Sequence, residues 1–198
     1  MIFATGNTHK LREMRELLPG VELEPLPEGV ELPPEEGDSY GEIALEKARV
    51  AHAATGRPTI ADDSGIGATA LGGRPGIHSA RYGGEGASDE ENLEKLLREV
   101  AAAAGDRGAA YVCALALIEA DGTERVFEAR CEGVLIDEPR GEGGFGYDPA
   151  FIPDATGPAD ERTMSELSQK EKNEVSHRGK AARLLAQHLG AGKAPAPR

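Results

Sequence analysis

Residues 2–10 read IFATGNTHK. The three apolar residues at 2–4 predict a short buried strand, and the turn at 5–7 predicts its end. Apolar residues then recur at helical spacing from Leu11 to Leu18, and Pro19-Gly20 stops the pattern. A strand that passes through a turn into a helix is typical of an α/β fold.

The next part of the chain continues to alternate between helix and strand signals. A serine with a glutamate three positions later predicts one helix over residues 40–54, after Ser39, and another after Ser88. An apolar run at 110–118 predicts a central buried strand, and Asp121-Gly122 predicts a hairpin turn after it.

The remaining segments complete a single α/β domain. We expect an irregular segment with at most one short strand at 22–37, strands at 58–61, from 126 and at 134–136, and helices at 163–172 and 176–189. No internal repeat or linker is visible. We therefore predict one domain over residues 1–190, with a helix C-cap at Gly190 and a frayed tail at 191–198.

Composition excludes several classes of function. The chain has 198 residues and a formal net charge of −13, a surface that repels nucleic acid. No apolar run approaches the length of a membrane helix, and the N-terminus lacks the features of a signal peptide, which favours a cytoplasmic protein. Cys113 and Cys131 lie in apolar segments without metal-ligand spacing, so we expect buried free thiols.

The first candidate site is the turn that contains Thr5, Gly6, Asn7 and Lys10. A strand that turns through glycine into a helix presents backbone N–H groups and the positive end of the helix dipole, and Lys10 adds a full charge. A phosphate chain requires this setting, although the Walker spacing is absent. Taken alone, the same pattern is more often simple helix N-capping.

The second candidate site is the acidic pair Asp62-Asp63, followed by Ser64. Adjacent side chains on a strand face opposite ways, so at most one of the two carboxylates points into a given cleft, where it could hold Mg²⁺. The alternative is a pair of turn-forming aspartates that ends the strand. Glu35 and Glu36 lie in an acidic loop and matter only if the fold brings them to Asp63.

Two further candidate sites lie in the second half of the chain. Residues 145–148 place aromatic rings on a glycine-rich loop, where a ring stacks on a purine or, alternatively, fills the core. Lys172, His177 and Arg178 flank the predicted start of the last helix, where basic residues oppose the helix dipole. A bound partner that presents lone pairs would account for them, and an exposed surface pair is the alternative.

Other catalytic chemistries find no support in the spacing of the residues. The five histidines show no paired metal-binding spacing. No Ser-His-Asp or Cys-His grouping is visible, which disfavours a zinc enzyme or a covalent hydrolase.

Taken in their order along the chain, these motifs closely resemble the inosine triphosphate pyrophosphatase family. The match rests on the blocks ATGN and HK from residue 4, ADDSG from 61, LGGRPG and SARY from 71, GGFGYDP from 143, and EKN and SHR from 171. It extends from Ile2 to about Leu189. Bacterial relatives usually read Glu-Asn-Ala where residues 42–44 here read Glu-Ile-Ala. This departure affects the polar contact of that helix and leaves the expected reaction unchanged.

The resemblance implies a fold and an activity. The fold is a two-lobed α/β structure with a long curved mixed β-sheet flanked by helices, an active-site cleft between the lobes, and usually a homodimer. The implied reaction is hydrolysis of deaminated purine nucleoside triphosphates (ITP, dITP and XTP) to the monophosphate and pyrophosphate, which removes them from the nucleotide pool.

The resemblance also implies roles for particular residues. Asp63 is the catalytic proton acceptor and a ligand of Mg²⁺, and Glu35 best matches the second acidic metal position, with Glu36 as its competitor. The substrate-binding residues are Thr5, Gly6, Asn7, Lys10, Ser64, Phe145, Gly146, Tyr147, Asp148, Lys172, His177 and Arg178.

The basic residues suggest how the base is selected. Lys172 and Arg178 only donate hydrogen bonds, which suits the 6-keto oxygen of hypoxanthine or xanthine and opposes the 6-amino group of adenine. Rejection of guanine must then depend on its 2-amino group. Two other functions remain open: a phosphatase or pyrophosphatase with a different base preference, and a sensor that binds the nucleotide without turnover.

Overall fold

The structure, a computed structural model, describes residues 1–191. The strands are β1 Ile2–Ala4, β2 Glu24–Pro25, β3 Thr59–Ala68, β4 Gly108–Ile118, β5 Glu124–Leu135 and β6 Phe151–Pro153. The helices are α1 Thr8–Leu17, α2 Tyr40–Thr55, α3 Asp89–Ala102, α4 Gln169–Val175 and α5 His177–Ala191. Short 3₁₀ helices occupy Thr69–Leu71, Gly76–Arg81, Asp148–Ala150 and Asp154–Thr156.

The strands form one mixed sheet in the order β2-β1-β3-β4-β5-β6. Strand β1 pairs in parallel with β2 and with β3, and Phe3 lies opposite Ile60. Strand β6 pairs antiparallel with the end of β5, where Leu135 lies opposite Phe151. The predicted α/β class with a mixed sheet is therefore confirmed.

The chain divides into two compact units. Unit 1 contains Met1–Asp63, Cys113–Ala129 and the described residues from Arg178 to 191, and unit 2 contains Ser64–Val112 and Arg130–His177. Each unit has its own apolar core: Phe3, Ile60 and Leu115 are among the core residues of unit 1. The prediction of one domain over residues 1–190 stays a prediction.

The core of unit 2 is built on β4 and its neighbours. Tyr111, Leu96 and Phe151 belong to its buried cluster, and Cys131 lies in the same cluster. Cys113 lies in the core of unit 1, so both cysteines are buried free thiols, as predicted.

Local signals predicted the starts of α2 and α3. Ser88 and Glu91 form a complete capping box at α3. At α2 the Ser39 hydroxyl accepts from the Glu42 amide, but the Glu42 carboxylate accepts from the Asp38 amide instead of closing the box. The departing residue of the family motif, Ile43, is a buried core side chain.

Several element boundaries differ from the prediction. Strand β3 runs through the acidic pair to Ala68, because its side chains are almost all buried. A continuous β5 replaces the two separate strands, and β6 was not predicted. The predicted helix at 163–172 begins only at Gln169, where Ser168 and Glu171 form a capping box.

The end of the chain also differs from the prediction. Helix α5 continues through Gly190 to Ala191, so the C-cap at Gly190 is wrong. The remainder of the predicted tail, residues 192–198, lies outside the described residues. Within residues 1–191, no helix is long and apolar enough to cross a membrane.

Candidate active site

Asp63 and Glu35 meet at one buried lysine. Lys47 of α2 donates a hydrogen bond to Glu35 Oε1 at 2.6 Å and to Asp63 Oδ1 at 3.1 Å. Asp63 and Lys47 are 4% and 5% exposed, whereas Glu36 is an exposed residue. The structure therefore brings Glu35, and not Glu36, to the partner of Asp63.

Asp63 and its neighbour Asp62 experience opposite electrostatic environments. Burial raises the pKa of Asp63 to about 6, against the attraction of Lys47 and Lys10. Burial also opposes ionisation of Asp62, but the charges of Lys10, Arg178 and Lys47 outweigh it and lower the pKa of that carboxyl. Asp62 is therefore a fixed anion, and Asp63 is suited to gain and lose a proton near neutral pH.

The oxygens at Asp63 and Glu35 are of the ligand type that Mg²⁺ prefers. The second carboxylate oxygen, Asp63 Oδ2, is buried and has no hydrogen-bond partner. Residues 1–191 contain no group of three or more His, Cys, Asp or Glu side chains that could hold a metal ion. Two carboxylates suit Mg²⁺, because it prefers oxygen ligands, keeps several waters and shares its coordination with substrate phosphates.

Asp62 belongs to a second chain of charges in unit 1. Its Oδ2 lies 2.9 Å from Lys10 Nζ and 3.7 Å from an Arg178 nitrogen. Arg178 in turn donates to Glu13 Oε2 at 2.7 Å, and the side chains of this pair are 3% and 8% exposed. The two carboxylates of the acidic pair thus have different partners, as the alternation of side chains along a strand predicts. The alternative of a strand-ending turn is wrong.

The first predicted turn is a capped helix start. Asn7 Oδ1 accepts hydrogen bonds from the amides of His9 and Lys10 at 2.9 and 3.2 Å, and the Asn7 amide donates to Thr5 Oγ1. The simpler alternative of N-capping therefore describes the turn itself. Gly6 and Asn7 are exposed, and the charge of Lys10 is directed towards Asp62.

Unit 2 holds a separate polar cluster around Asp148, which is 3% exposed. Its Oδ2 accepts from Lys172 Nζ at 2.8 Å and from the Phe145 amide at 3.0 Å. Its Oδ1 accepts from the Tyr111 hydroxyl at 3.2 Å. The Lys172 ammonium also lies 4.9 Å from the centre of the Phe145 ring, a cation–π contact.

The glycine-rich loop is shaped around the same carboxylate. Gly144 has a φ of +74°, and a Cβ there would overlap the Asp148 carboxylate, so a side chain at this position would be strained and would displace that carboxylate. Gly146 also has a positive φ, and its amide donates to Asp89 Oδ2 at 2.8 Å. Two neighbouring amides of the loop, those of Phe145 and Gly146, are therefore held by carboxylates.

The two aromatic residues of this loop differ in environment. Tyr147 is 6% exposed within the apolar core of unit 2, and its hydroxyl donates to the Ser79 carbonyl at 2.7 Å. Phe145 is half-buried. The core-filling alternative thus holds for Tyr147, and Phe145 is the ring placed at the surface of the loop.

The basic residues near the start of α5 are buried. His177 is 5% exposed and Arg178 is 3% exposed, so the alternative of an exposed surface pair is wrong. The His177 ring stacks on Tyr111, with ring centres 4.5 Å apart and an interplanar angle of 4°. Ser64, the last of the predicted site residues, is half-buried in β3 directly after Asp63.

Sequence reasoning missed three residues of these clusters: Lys47, Glu13 and Tyr111. All three are buried, on α2, α1 and β4 respectively. A charged residue on the apolar face of a helix was a usable signal for the first two, because lysine and glutamate are rarely buried without a partner. A tyrosine in a buried strand gives no comparable signal.

The chain is similar to known proteins over nearly its whole length. Residues 1–188 match the model of the Ham1 family. The chain is 46% identical to a dITP/XTP pyrophosphatase of Geobacter sulfurreducens and 45% identical to one of Geobacillus kaustophilus. These matches cover 96% of both chains in the first case, and 93% of this chain and 91% of the relative in the second.

A solved structure gives the same result for the fold. The HAM1 protein of Coxiella burnetii superposes with a TM-score of 0.85 and is 39% identical. The superposition covers 96% of this chain and 98% of the other.

Proposed function

Because the chain belongs to the Ham1 family, we propose that it hydrolyses deaminated purine nucleoside triphosphates, namely ITP, dITP and XTP. The products are the nucleoside monophosphate and pyrophosphate, and the reaction removes these nucleotides from the pool. The observation that carries this proposal is the near-complete match to proteins described as dITP/XTP pyrophosphatases.

The chemistry around Asp63 supports a hydrolase over a sensor. A buried carboxylate whose pKa is raised to about 6 accepts a proton near neutral pH. Binding alone would not need this group, and its burial opposes the charged form. We assign Asp63 as the residue that takes the proton from the attacking water, with Lys47 holding its other oxygen.

We also propose that the enzyme requires Mg²⁺, held by Asp63 and Glu35. When bound, this ion would offset the negative charge of the phosphate oxygens. The feature of the chain that supports this assignment is the shared contact with Lys47, which brings the carboxylates of Glu35 and Asp63 together.

The remaining groups of unit 1 fit the triphosphate. Lys10, next to Asp62, supplies a positive charge at the start of α1 together with Thr5, Gly6 and Asn7. These groups would stabilise the charge that develops on departing pyrophosphate. The net charge of −13 makes such local positive groups necessary for a polyanionic substrate.

The buried polar cluster of unit 2 fits the base. Lys172 donates only, which suits a 6-keto oxygen and opposes a 6-amino group. Phe145 offers a ring for stacking, and Asp148 holds both of these residues in place. We keep Ser64, Gly146, Tyr147, His177 and Arg178 as proposed substrate-binding residues on the family resemblance.

The test is an assay that separates the two products and the bases. The protein is incubated with Mg²⁺ and with ITP, XTP, GTP or ATP, and pyrophosphate and inorganic phosphate are measured independently. We expect pyrophosphate from ITP and XTP, with little turnover of GTP or ATP. Release of inorganic phosphate, equal turnover of all four nucleotides, or binding without turnover would refute the assignment.

A further inference from the structure

Tyr111 contacts Asp148 and His177, two of the residues proposed above for binding the nucleotide, with different parts of its side chain. Its ring stacks face to face on His177, at 4.5 Å and 4°, and meets Phe151 edge to face at 4.9 Å and 79°. Its hydroxyl donates to Asp148 Oδ1 at 3.2 Å. The side chain is 6% exposed on strand β4, so these contacts are made inside the core of unit 2.

The hydroxyl is not required by packing. A phenylalanine at position 111 would keep the ring contacts with His177 and Phe151, and it would avoid burying a polar group. A buried hydroxyl is tolerated where it is hydrogen-bonded, and burial of a carboxylate is costly unless its oxygens accept hydrogen bonds. The partner of this hydroxyl is Asp148, whose other oxygen holds Lys172 and the Phe145 amide.

The ring contact restricts His177 in another way. Parallel stacking on a ring that is itself fixed by Phe151 restricts the plane of the imidazole. The plane sets the directions of the two ring nitrogens, and therefore of the hydrogen bonds that the imidazole makes. The Tyr111 ring thus restricts the directions in which the His177 nitrogens form hydrogen bonds. Its hydroxyl at the same time anchors the Asp148 carboxylate, which holds Lys172.

We propose that Tyr111 is the positioning residue of base recognition: its hydroxyl fixes the Asp148–Lys172 pair and its ring fixes the plane of His177. This inference rests on the proposed function, because it assumes that these residues meet the purine. Tyr111 acts through its neighbours and does not itself touch the substrate. Its loss should therefore weaken nucleotide binding more than the chemical step.

The kinetic test compares Tyr111→Phe with a matched tyrosine variant. Tyr82→Phe removes another tyrosine–carboxylate hydrogen bond of unit 2, to Glu99, outside the clusters described above. We expect Tyr111→Phe to raise the KM for ITP about tenfold and to change kcat less than about threefold. Tyr82→Phe should leave both values at the wild-type level. A KM for ITP that is unchanged in Tyr111→Phe would overturn the role of the hydroxyl.

A second measurement follows His177 without turnover. In the wild type, the ring protons of His177 should resonate upfield because they lie over the Tyr111 ring; the signal is assigned by its loss in His177→Gln. Tyr111→Phe should keep this shift and Tyr111→Leu should abolish it. An unchanged His177 signal in Tyr111→Leu would overturn the stacking role. If Tyr111→Leu does not fold, the wild type alone decides: a His177 signal without an upfield shift would also overturn the stacking role.

The two measurements separate this inference from the proposed function. A wild-type protein that releases no pyrophosphate from ITP contradicts the function, and the His177 signal still decides whether Tyr111 orients that ring. A Tyr111→Phe variant with a lower melting temperature and a wild-type KM has a structural role only, which contradicts the inference while the function stands.

Discussion

Asp63 combines burial with a neighbouring ammonium group. Burial acts against its negative charge more strongly than Lys47 and Lys10 favour it, which raises its pKa to about 6. Asp62, one position earlier, faces Lys10 and Arg178 and keeps its charge. The two neighbouring side chains point in different directions from the strand, and for this reason Asp63 is suited to accept a proton whereas Asp62 stays negatively charged.

Replacement of Asp63 tests its role as the proton acceptor. Asparagine keeps the size of the side chain and can still accept from Lys47, but it cannot take a proton. We expect Asp63→Asn to lower kcat for ITP by at least about a hundredfold, measured as pyrophosphate release. Turnover near the wild-type rate in this variant would remove Asp63 from the role.

The neighbouring glutamates Glu35 and Glu36 offer a matched pair for the metal. Glu35 shares Lys47 with Asp63, and Glu36 is exposed. We expect Glu35→Gln to raise the Mg²⁺ concentration for half-maximal activity about tenfold or more, because Mg²⁺ binds carboxylates through few direct contacts. Glu36→Gln should behave as the wild type. Equal Mg²⁺ requirements in both variants would contradict the assignment of Glu35.

The pKa of Asp63 also predicts how stability depends on pH. Between the ordinary value of 3.8 and the folded value of about 6, the folded protein holds more of the Asp63 proton than the unfolded chain does. The contribution of Asp63 to the free energy of unfolding is therefore present at low pH and decreases as pH rises through this window.

Asp63→Asn should remove this loss of stability. We expect the metal-free variant to match the wild type at pH 4 and to be more stable at pH 8, by on the order of 1 kcal/mol or more. Urea unfolding in the presence of a chelator measures the free energy of unfolding of the wild type and the variant at both pH values. A variant that is less stable than the wild type at pH 8 would show that burial does not disfavour the Asp63 charge.

At the scale of elements, α1 and α5 are tied together by a buried ion pair. Glu13 of α1 and Arg178 of α5 are 165 residues apart in sequence and bond at 2.7 Å. Arg178 also reaches Asp62 of β3, so a helix start, a strand and a second helix share one set of charges. A buried ion pair adds little net stability compared with apolar side chains packed in the same place. Removal of one partner, however, leaves the other charge buried without compensation, which is destabilising.

Glu13→Gln should therefore destabilise unit 1. We expect the free energy of unfolding to fall by about 3 kcal/mol, because Arg178 loses its closest carboxylate. The control is Glu46→Gln, which breaks an exposed pair with Arg49 and should change stability by less than about 0.5 kcal/mol. Urea unfolding of both variants measures the free energy of unfolding. If it falls by the same small amount in Glu13→Gln and Glu46→Gln, Asp62 alone compensates the charge of Arg178.

At the scale of the whole molecule, the net charge of −13 is spread over a chain of 198 residues. Positive side chains at the two clusters form ion pairs with carboxylates of the same chain, as Lys10 does with Asp62 and Lys172 with Asp148. A negative surface of this kind disfavours binding of extended nucleic acid.

The assembly state is a further property of the whole molecule. On the family resemblance we expect a homodimer, and light scattering should give twice the 20.8 kDa mass of the chain. The mass should hold on dilution to low micromolar concentrations if the dimer is obligate. A monomer mass at all concentrations would contradict this expectation.

The sequence by itself determined the features that depend on neighbours along the chain. Serine caps at Ser39 and Ser88 and the apolar run of β4 act over a few residues, so their patterns predicted α2, α3 and the central strand. The order of the motifs led to the family. The joining of β5 and the pairing of β6 escaped prediction, because strand pairing is a non-local interaction.

Tertiary structure alone decided which side chains meet. Only packing brings Glu35 rather than Glu36 to Lys47, pairs Glu13 with Arg178, and places Tyr111 between His177 and Asp148. The physical reason is that a buried charge or hydroxyl is stable only beside a partner, and that partner is supplied by whichever element packs there. Sequence spacing carries no record of that packing.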